Sequence, residues 1–218
     1  MLRNKVVKTV LIGLLSLTIL ILITLGGVLG PYIVRVQHFP ANPSEGYYAD
    51  FYVYISPGAR QATSQGQTAT LLVQPNNSGT NSDDPTIHQR DAWWTGFGRH
   101  RLANQLDVIL LVPAFIRPGE DWQIYTHALD RDVLTTDRTD LARLDLQLLA
   151  MVDVARTTLA ADGIATGNKF LIQGYSASGM FANRFAALHP ERVKAVAAGS
   201  PGGWPIAPVA EFEGVMLP

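Results

Sequence analysis

The stretch that decides the fold reads Lys169-Phe170-Leu171-Ile172-Gln173-Gly174-Tyr175-Ser176-Ala177-Ser178-Gly179. Residues 169–173 have the apolar and β-branched composition of a buried strand, and a helix is predicted from Met180 to Leu188. A serine hydroxyl becomes a nucleophile only when it stands clear of the sheet, near a base and beside N–H groups that can hold an oxyanion. A tight strand-to-helix turn with small residues around Ser176 meets the geometric part of that requirement.

Predicted strands and helices alternate on both sides of this turn. The short apolar runs 108–112 and 193–198 are typical of strands buried on both faces. Apolar residues recur every three or four positions from Asp140 to Ala161, which predicts an amphipathic helix, and Asp84-Pro85 predicts the start of another over 86–104. This alternation indicates an α/β fold with a mostly parallel sheet and flanking helices.

Two further predictions concern the first part of the fold. Residues 51–55 and 68–73 are predicted strands, and the polar segment 58–66 between them suggests an antiparallel pair. On the helix at 86–104 we expect the large apolar side chains to face inward. They are Trp93, Trp94, Phe97 and Leu102.

The strand, the segment Gly174-Tyr175-Ser176-Ala177-Ser178-Gly179 and the following helix together resemble the nucleophile elbow of the α/β-hydrolase superfamily. The stretch 174–203 is most similar to its serine esterase and polyhydroxyalkanoate depolymerase-like branches. The last glycine of the usual G-x-S-x-G pattern is Ser178 here, and Gly179 follows one position later. The resemblance implies that Ser176 is the nucleophile and that Gly174, Ser178 and Gly179 shape the turn. The alternative is that Ser176 has no catalytic role and is only a small residue in a crowded strand-to-helix turn.

The resemblance also implies where the oxyanion donors lie. In this superfamily one donor is the N–H after the nucleophile, which is Ala177 here, and the other comes from the loop after the third strand. If 68–73 is that strand, the second donor is Asn76 or Asn77. An asparagine-rich surface turn is the alternative interpretation of this loop.

The remaining triad members are not found in this sequence. The superfamily order is nucleophile, acid, then histidine, but the only histidine after Ser176 is His189, for which we expect a capping or surface role. His127 could approach the same edge of the sheet, where a structural or substrate-facing role is expected. Either the sequence is the N-terminal portion of a longer hydrolase whose C-terminal strands are missing, which we favour, or it is a fold member without a complete triad.

The N-terminus predicts a membrane segment. Arg3, Lys5 and Lys8 precede an uncharged, mostly apolar run over residues 10–30, which is long enough to cross a bilayer as a helix. The flanking charges predict the N-terminus inside and the remainder outside. A cleaved signal peptide is the alternative for residues 1–34. We expect an extended linker over 35–46 and the hydrolase domain, incomplete at its C-terminus, over 47–218.

Composition excludes several other classes of protein. The net charge is −1, which gives no electrostatic field for nucleic acid, and the chain has no cysteine. No metal-binding or cofactor-binding motif is present, so we expect neither. The sequence therefore predicts a membrane-anchored, extracytoplasmic serine hydrolase that cleaves a small-molecule or polymer ester, less often an amide, through an acyl-enzyme on Ser176. The alternative is a surface binding or scaffold protein that retains the fold without catalysis.

Overall fold

The computed structural model describes residues 11–22, 34–77 and 79–202 and the backbone at 211–212 and 215–216. The chain divides into two compact units, up to Arg35 and from Val36 onward. In the first unit, residues 11–22 form a helix, α1. Among the described residues, no helix combines the length and the apolar character that a membrane crossing needs. Much of the membrane segment predicted over 10–30 lies outside the described residues.

The second unit is built on a six-stranded sheet whose order is β1-β2-β4-β3-β5-β6. Strand β2 is antiparallel to both of its neighbours, whereas β4, β3, β5 and β6 run parallel to one another. The mostly parallel sheet predicted from the alternation of elements is therefore confirmed. The strands are β1 Val36–Phe39, β2 Phe51–Ile55, β3 Leu71–Val73, β4 Ile109–Pro113, β5 Phe170–Tyr175 and β6 Val193–Gly199.

Five helices accompany the sheet in the described part of this unit. They are α2 Pro57–Ser64, α3 Pro85–Gln105, α4 Arg131–Thr135, α5 Leu144–Ala161 and α6 Ala177–Leu188. Two short strands, β7 Glu211–Phe212 and β8 Val215–Met216, pair with each other in a separate antiparallel sheet. Neither β7 nor β8 belongs to the six-stranded sheet.

The core lies where β2, β3, β4 and β5 meet the helices. All residues of β2, β3 and β4 are buried, in keeping with strands covered on both faces. The apolar stripe of α5 is buried as its periodicity predicted. On α6, Phe181 stacks on Phe115, with ring centroids 5.6 Å apart, and Phe185 extends this aromatic layer. The turn that precedes α6 is therefore followed by a helix that is packed firmly against the core.

The linker predicted over 35–46 is wrong for most of its length. Residues 36–39 form β1, which pairs with β2, and residues 43–45 form a short 3-10 turn. Phe39 stacks on Phe51, with ring centroids 4.5 Å apart. The prolines do prevent a long regular element here. Residues 36–39 form a strand only because they pair with β2, and this contact is not visible in the local sequence.

The predicted strand pair and the predicted inner face of α3 are also corrected. The segment between β2 and β3 is helix α2, and β4 lies between these two strands in the sheet. On α3 the fully buried residues are His88, Ala92, Gly96 and Ala103, whereas Trp94 is 49% exposed and the other predicted residues, Trp93, Phe97 and Leu102, are half-buried. Small residues face the sheet because α3 lies close to it. A Cβ on Gly96 would be only 3.4 Å from Val36 Cγ1.

Candidate active site

Ser176 lies at the sharp turn between β5 and α6 and is exposed to solvent. Its φ of 58° and ψ of −122° belong to a region that L-residues other than glycine rarely occupy. The conformation is held from both sides, since the Ser176 N–H donates to the Gly199 carbonyl at 2.9 Å and its own carbonyl accepts from the Met180 N–H at 3.0 Å. The exposed position of Ser176 at a strand-to-helix turn is the geometry that the sequence predicted, and the structure adds the strained backbone and the hydrogen bonds that hold it.

Two glycines allow the backbones to approach at this turn. A Cβ on Gly174 would lie 2.1 Å from the Ser178 carbonyl oxygen, and a Cβ on Gly179 would lie 2.6 Å from the Gly199 carbonyl oxygen. Both distances are far below van der Waals contact with atoms of the backbone, which cannot move aside as a flexible side chain would. The turn therefore requires glycine at both positions.

Ser178 explains the departure from the usual G-x-S-x-G pattern. Its side chain is buried, and its hydroxyl accepts from the Tyr175 N–H at 3.0 Å and donates to the Tyr175 carbonyl at 3.0 Å. The hydroxyl thus braces the residue that precedes Ser176. The close contact with β6 is made one position later, by Gly179, so the displaced glycine still performs the steric role.

The strain at Ser176 leads to a prediction for Ser176→Gly. Glycine adopts this conformation without the side-chain penalty of about 1–3 kcal/mol, and this gain exceeds the entropic cost of glycine, which is about 0.5–1 kcal/mol. We expect the free energy of unfolding, measured by urea denaturation, to rise by about 1 kcal/mol. Ser82→Gly, at a serine that is not among the positive-φ residues, is the control and should not stabilise the protein. A destabilised Ser176→Gly variant would show that the turn is unstrained.

The two candidate oxyanion donors after β3 occupy different environments. The Asn77 side chain donates to the Tyr175 carbonyl at 3.0 Å and so lies against the elbow. The side chain of Asn76 is buried, and its amide forms hydrogen bonds with both the carbonyl and the N–H of Phe115. Ala177 is the first residue of α6, so its N–H belongs to the helix N-terminus, where backbone donors lack intrahelical acceptors. The structure therefore brings Ala177 and Asn77 to the elbow and assigns Asn76 a different contact.

His127 is buried at the carboxyl edge of the sheet, close to Asn76. Its Nε2 donates to the Phe115 carbonyl at 2.9 Å. Burial lowers the pKa of His127 to about 4, against an ordinary value of 6.5, although the hydrogen bond to the Phe115 carbonyl acts in the opposite direction. A neutral ring with its Nε2–H committed to a carbonyl is a structural group, which is one of the two roles expected from the sequence.

His189 is the C-cap residue of α6, so the predicted capping role is confirmed, and its side chain is mostly buried. Its Nε2 lies 2.9 Å from Oδ2 of Asp145, which is fully buried and also receives two hydrogen bonds from the Arg143 guanidinium. Burial raises the pKa of Asp145, but the hydrogen bonds from Arg143 and His189 outweigh this effect and hold it below its ordinary value. The 12 residues of α6 separate this pair from Ser176, which is about 18 Å along the helix axis. The His189–Asp145 pair therefore joins α5 to α6.

A general base for Ser176 is not found among the described residues. All five histidines of the chain are described. Each has other partners: Asp50 for His38, Ser82 for His88, Phe97 for His100, Phe115 for His127 and Asp145 for His189. None of these five contacts involves Ser176.

A cleft adjoins the elbow on the side of α3. Its volume is about 610 Å³, which is within the range of small-molecule sites. The residues that line it include Gly174 and Tyr175 of the elbow and Trp94 and Arg99 of α3. Gly199, whose carbonyl accepts a hydrogen bond from the Ser176 N–H, is not among the site residues predicted from the sequence. The glycine that ends the β6 run, in Gly199-Ser200-Pro201, was the available signal.

Comparison with solved structures found hydrolases that are similar to this chain. A poly(3-hydroxybutyrate) depolymerase from Bordetella parapertussis matches with 16% identity and a TM-score of 0.50 over 78% of this chain and 53% of that one. Poly(aspartic acid) hydrolase-1 from Sphingomonas sp. KT-1 has 20% identity and a TM-score of 0.47, over 76% and 56% of the two chains. An acetyl xylan esterase from Aspergillus awamori has 18% identity and a TM-score of 0.46, over 78% and 58%.

The strand order, the elbow geometry and the likeness to the depolymerase agree on the architecture: this chain has the α/β-hydrolase fold. The chain spans a little over half of the length of these three structures. No protein-family profile and no curated protein sequence matches it.

Proposed function

We propose that the chain carries the nucleophile of an ester hydrolase and that Ser176 forms the acyl-enzyme. The observation that supports the proposal best is the backbone conformation of Ser176, which is strained, held by hydrogen bonds to Gly199 and Met180, and exposed. Strain that a protein maintains with this many constraints is concentrated at functional sites. An ordinary strand-to-helix turn would not need it.

The proposed reaction has two steps. The Ser176 Oγ attacks the ester carbonyl while its proton passes to a general base, and the tetrahedral oxyanion accepts hydrogen bonds from the N–H groups of Ala177 and Asn77. The carbon–oxygen bond to the alcohol then breaks, and the alcohol leaves with the proton. Water hydrolyses the acyl-enzyme by the same sequence and regenerates the Ser176 hydroxyl. We place the base and its acid outside the described residues.

We also propose that the enzyme is attached to the membrane through residues 10–30 and that the hydrolase domain lies outside. The support is the sequence pattern alone, in which Arg3, Lys5 and Lys8 precede the apolar run. An ester substrate, either a small molecule or a polymer, would then reach Ser176 from the extracytoplasmic side. A cleaved N-terminus would release the same domain in soluble form.

The test uses the whole protein that the gene encodes. It is treated with a fluorophosphonate, which phosphonylates activated serines. We expect Ser176→Ala to abolish labelling, because the atom that forms the covalent bond is removed. Ser200→Ala is the matched control, since Ser200 also follows a parallel strand and has a positive φ of 43°; it should label like the wild type. The labelled protein should remain in the membrane fraction after alkaline carbonate washing.

A non-catalytic scaffold is the second candidate function, and the partners found for all five histidines favour it. The two candidates differ in the same experiment. A scaffold gives no labelling in the wild type, whereas labelling that persists in Ser176→Ala shows that another residue is the nucleophile. Either result would overturn the assignment of Ser176.

A further inference from the structure

The loop after β3 is tied to the loop after β4 by a buried polar cluster, Asn76–Phe115–His127. The Asn76 Nδ2 donates to the Phe115 carbonyl at 2.9 Å, and the Phe115 N–H donates to the Asn76 Oδ1 at 3.1 Å. Asn76 thereby pairs with one residue of the neighbouring loop through both backbone groups, as a strand residue would. Asn76 is 1% exposed and His127 is 0% exposed, so water cannot replace these hydrogen bonds.

His127 completes the cluster from a third segment of the chain. It lies in the 3-10 turn Thr126–Ala128, and its Nε2 donates to the Phe115 carbonyl at 2.9 Å. The same Nε2 is 3.2 Å from the Asn76 Nδ2. The Phe115 carbonyl therefore receives two donors, and the hydrogen bond from His127 holds in place the carbonyl that accepts from Asn76.

The cluster acts at the elbow through the residue next to Asn76. Asn77 donates from its side chain to the Tyr175 carbonyl at 3.0 Å, and Tyr175 immediately precedes Ser176. A movement of Asn76 must carry Asn77 with it, because they share a peptide bond. Oxyanion donors stabilise a transition state only when they are held in place before the reaction.

We infer that Asn76 and His127 are positioning residues, which hold Asn77 against the elbow so that its N–H is directed at the oxyanion formed on Ser176. The inference rests on the proposed function. It gives Asn76 a role different from that of a direct donor, and it gives a function to a buried histidine that does not touch Ser176. The cluster controls the rate of acylation and leaves the affinity for the ligand unchanged.

The test compares two substitutions of His127 in the protein expressed from its own gene. The amide of His127→Gln reaches the position of Nε2 and can donate to the Phe115 carbonyl, whereas the amide of His127→Asn ends nearer the position of Nδ1 and cannot. Fluorophosphonate labelling is followed at several concentrations, which separates the maximal rate of labelling from the concentration that gives half of it. We expect His127→Asn and Asn76→Ala to lower the maximal rate about 10- to 100-fold with little change in the half-saturating concentration. His127→Gln should stay within about threefold of the wild type on the same scale.

Thr126→Val is the control for a purely structural effect. Thr126 neighbours His127 and donates its hydroxyl to the Ile116 carbonyl at 2.6 Å, next to the Phe115 carbonyl, but it does not belong to the cluster. Its removal should lower the melting temperature and leave the maximal rate unchanged. The inference is overturned if His127→Asn labels as fast as His127→Gln, or if Thr126→Val slows labelling as much as Asn76→Ala. If His127→Asn does not fold, the comparison of Asn76→Ala with Thr126→Val decides.

Failure of the proposed function is distinguishable from failure of this inference. If Ser176→Ala still labels, or if the wild type does not, the proposed function is wrong and the inference falls with it. If labelling depends on Ser176 and the Asn76 and His127 variants label at the wild-type rate, only the inference is wrong.

Discussion

Gly174→Ala is expected to destabilise the protein by about 3 kcal/mol or more, at the upper end of the range for overpacked sites. The new Cβ would lie 2.1 Å from the Ser178 carbonyl oxygen and 2.7 Å from the Gly179 nitrogen. Both atoms belong to the first turn of α6, so the clash is relieved only by moving the helix or unwinding its start. The displacement would also break the two hydrogen bonds between Ser178 and Tyr175.

Urea denaturation followed by tryptophan fluorescence measures this effect, and Gly167→Ala is the matched control. A Cβ on Gly167 meets its nearest atoms at 3.7 and 3.9 Å, which is ordinary contact. We expect that variant to change the free energy of unfolding by less than about 1 kcal/mol. Equal stability of the two variants would show that the backbones at the elbow are not in close contact.

Acid is expected to destabilise the protein in two steps, the first of which is due to His127. Burial lowers the pKa of His127 to about 4 in the folded protein, against 6.5 for the exposed ring. Between these values the unfolded chain binds a proton that the folded protein does not, so stability falls as the pH drops from 6.5 to 4. A difference of this size corresponds to a loss of up to about 3 kcal/mol, and the loss levels off below pH 4.

The second step includes Asp145, whose pKa is held below its ordinary value of 3.8, and the carboxyl groups of Asp84 and Asp140, whose pKa values are also lowered. A lowered carboxyl pKa stabilises the folded state above 3.8, and this contribution is lost only at lower pH. Urea denaturation at pH values from 7 to 3 separates the two windows. We expect the free energy of unfolding of His127→Gln to stay nearly constant between pH 6.5 and 4. The control is His100→Gln, at a half-buried ring outside the Asn76–Phe115–His127 cluster, and its free energy of unfolding should fall in this range as in the wild type. A wild-type stability that is constant from pH 6.5 to 4 would contradict the assignment to His127.

The patterns that predicted structure well are those in which neighbouring residues in the chain determine the outcome. The periodic apolar stripe of α5 and the continuous apolar run of β4 correspond closely to the observed elements. The elbow was predicted for the same reason, because a strand, two small residues around a serine and a helix are consecutive in the sequence. The position of Ser178 in the pattern was recognised as a departure, but its hydrogen bonds to Tyr175 could be read only from the structure.

Most of the wrong predictions concern contacts between distant segments; the exception is α2, a helix capped by Ser56 in a segment whose polar composition predicts a loop. The segment 36–39 becomes β1 only because β2 supplies its hydrogen bonds. The inner face of α3 was assigned to its aromatic residues because apolar residues are usually buried, yet the close approach of the sheet selects Ala92 and Gly96. His189 is the C-cap residue of α6, which is one of its two expected roles, but its pairing with Asp145, 44 positions earlier in the chain, is not predicted by the sequence.

By itself, the sequence determined that the chain alternates strands with helices and that Ser176 stands at a glycine-flanked turn, because these features follow from local sterics and short-range periodicity. Only the tertiary structure decided that Asn77 rather than Asn76 contacts the elbow, that His127 and Asn76 share the Phe115 backbone, and that His189 belongs to a structural pair. Hydrogen bonds between buried polar groups depend on which loops the sheet order brings together. That order arises from the packing of the whole domain, so no short segment of the sequence contains it.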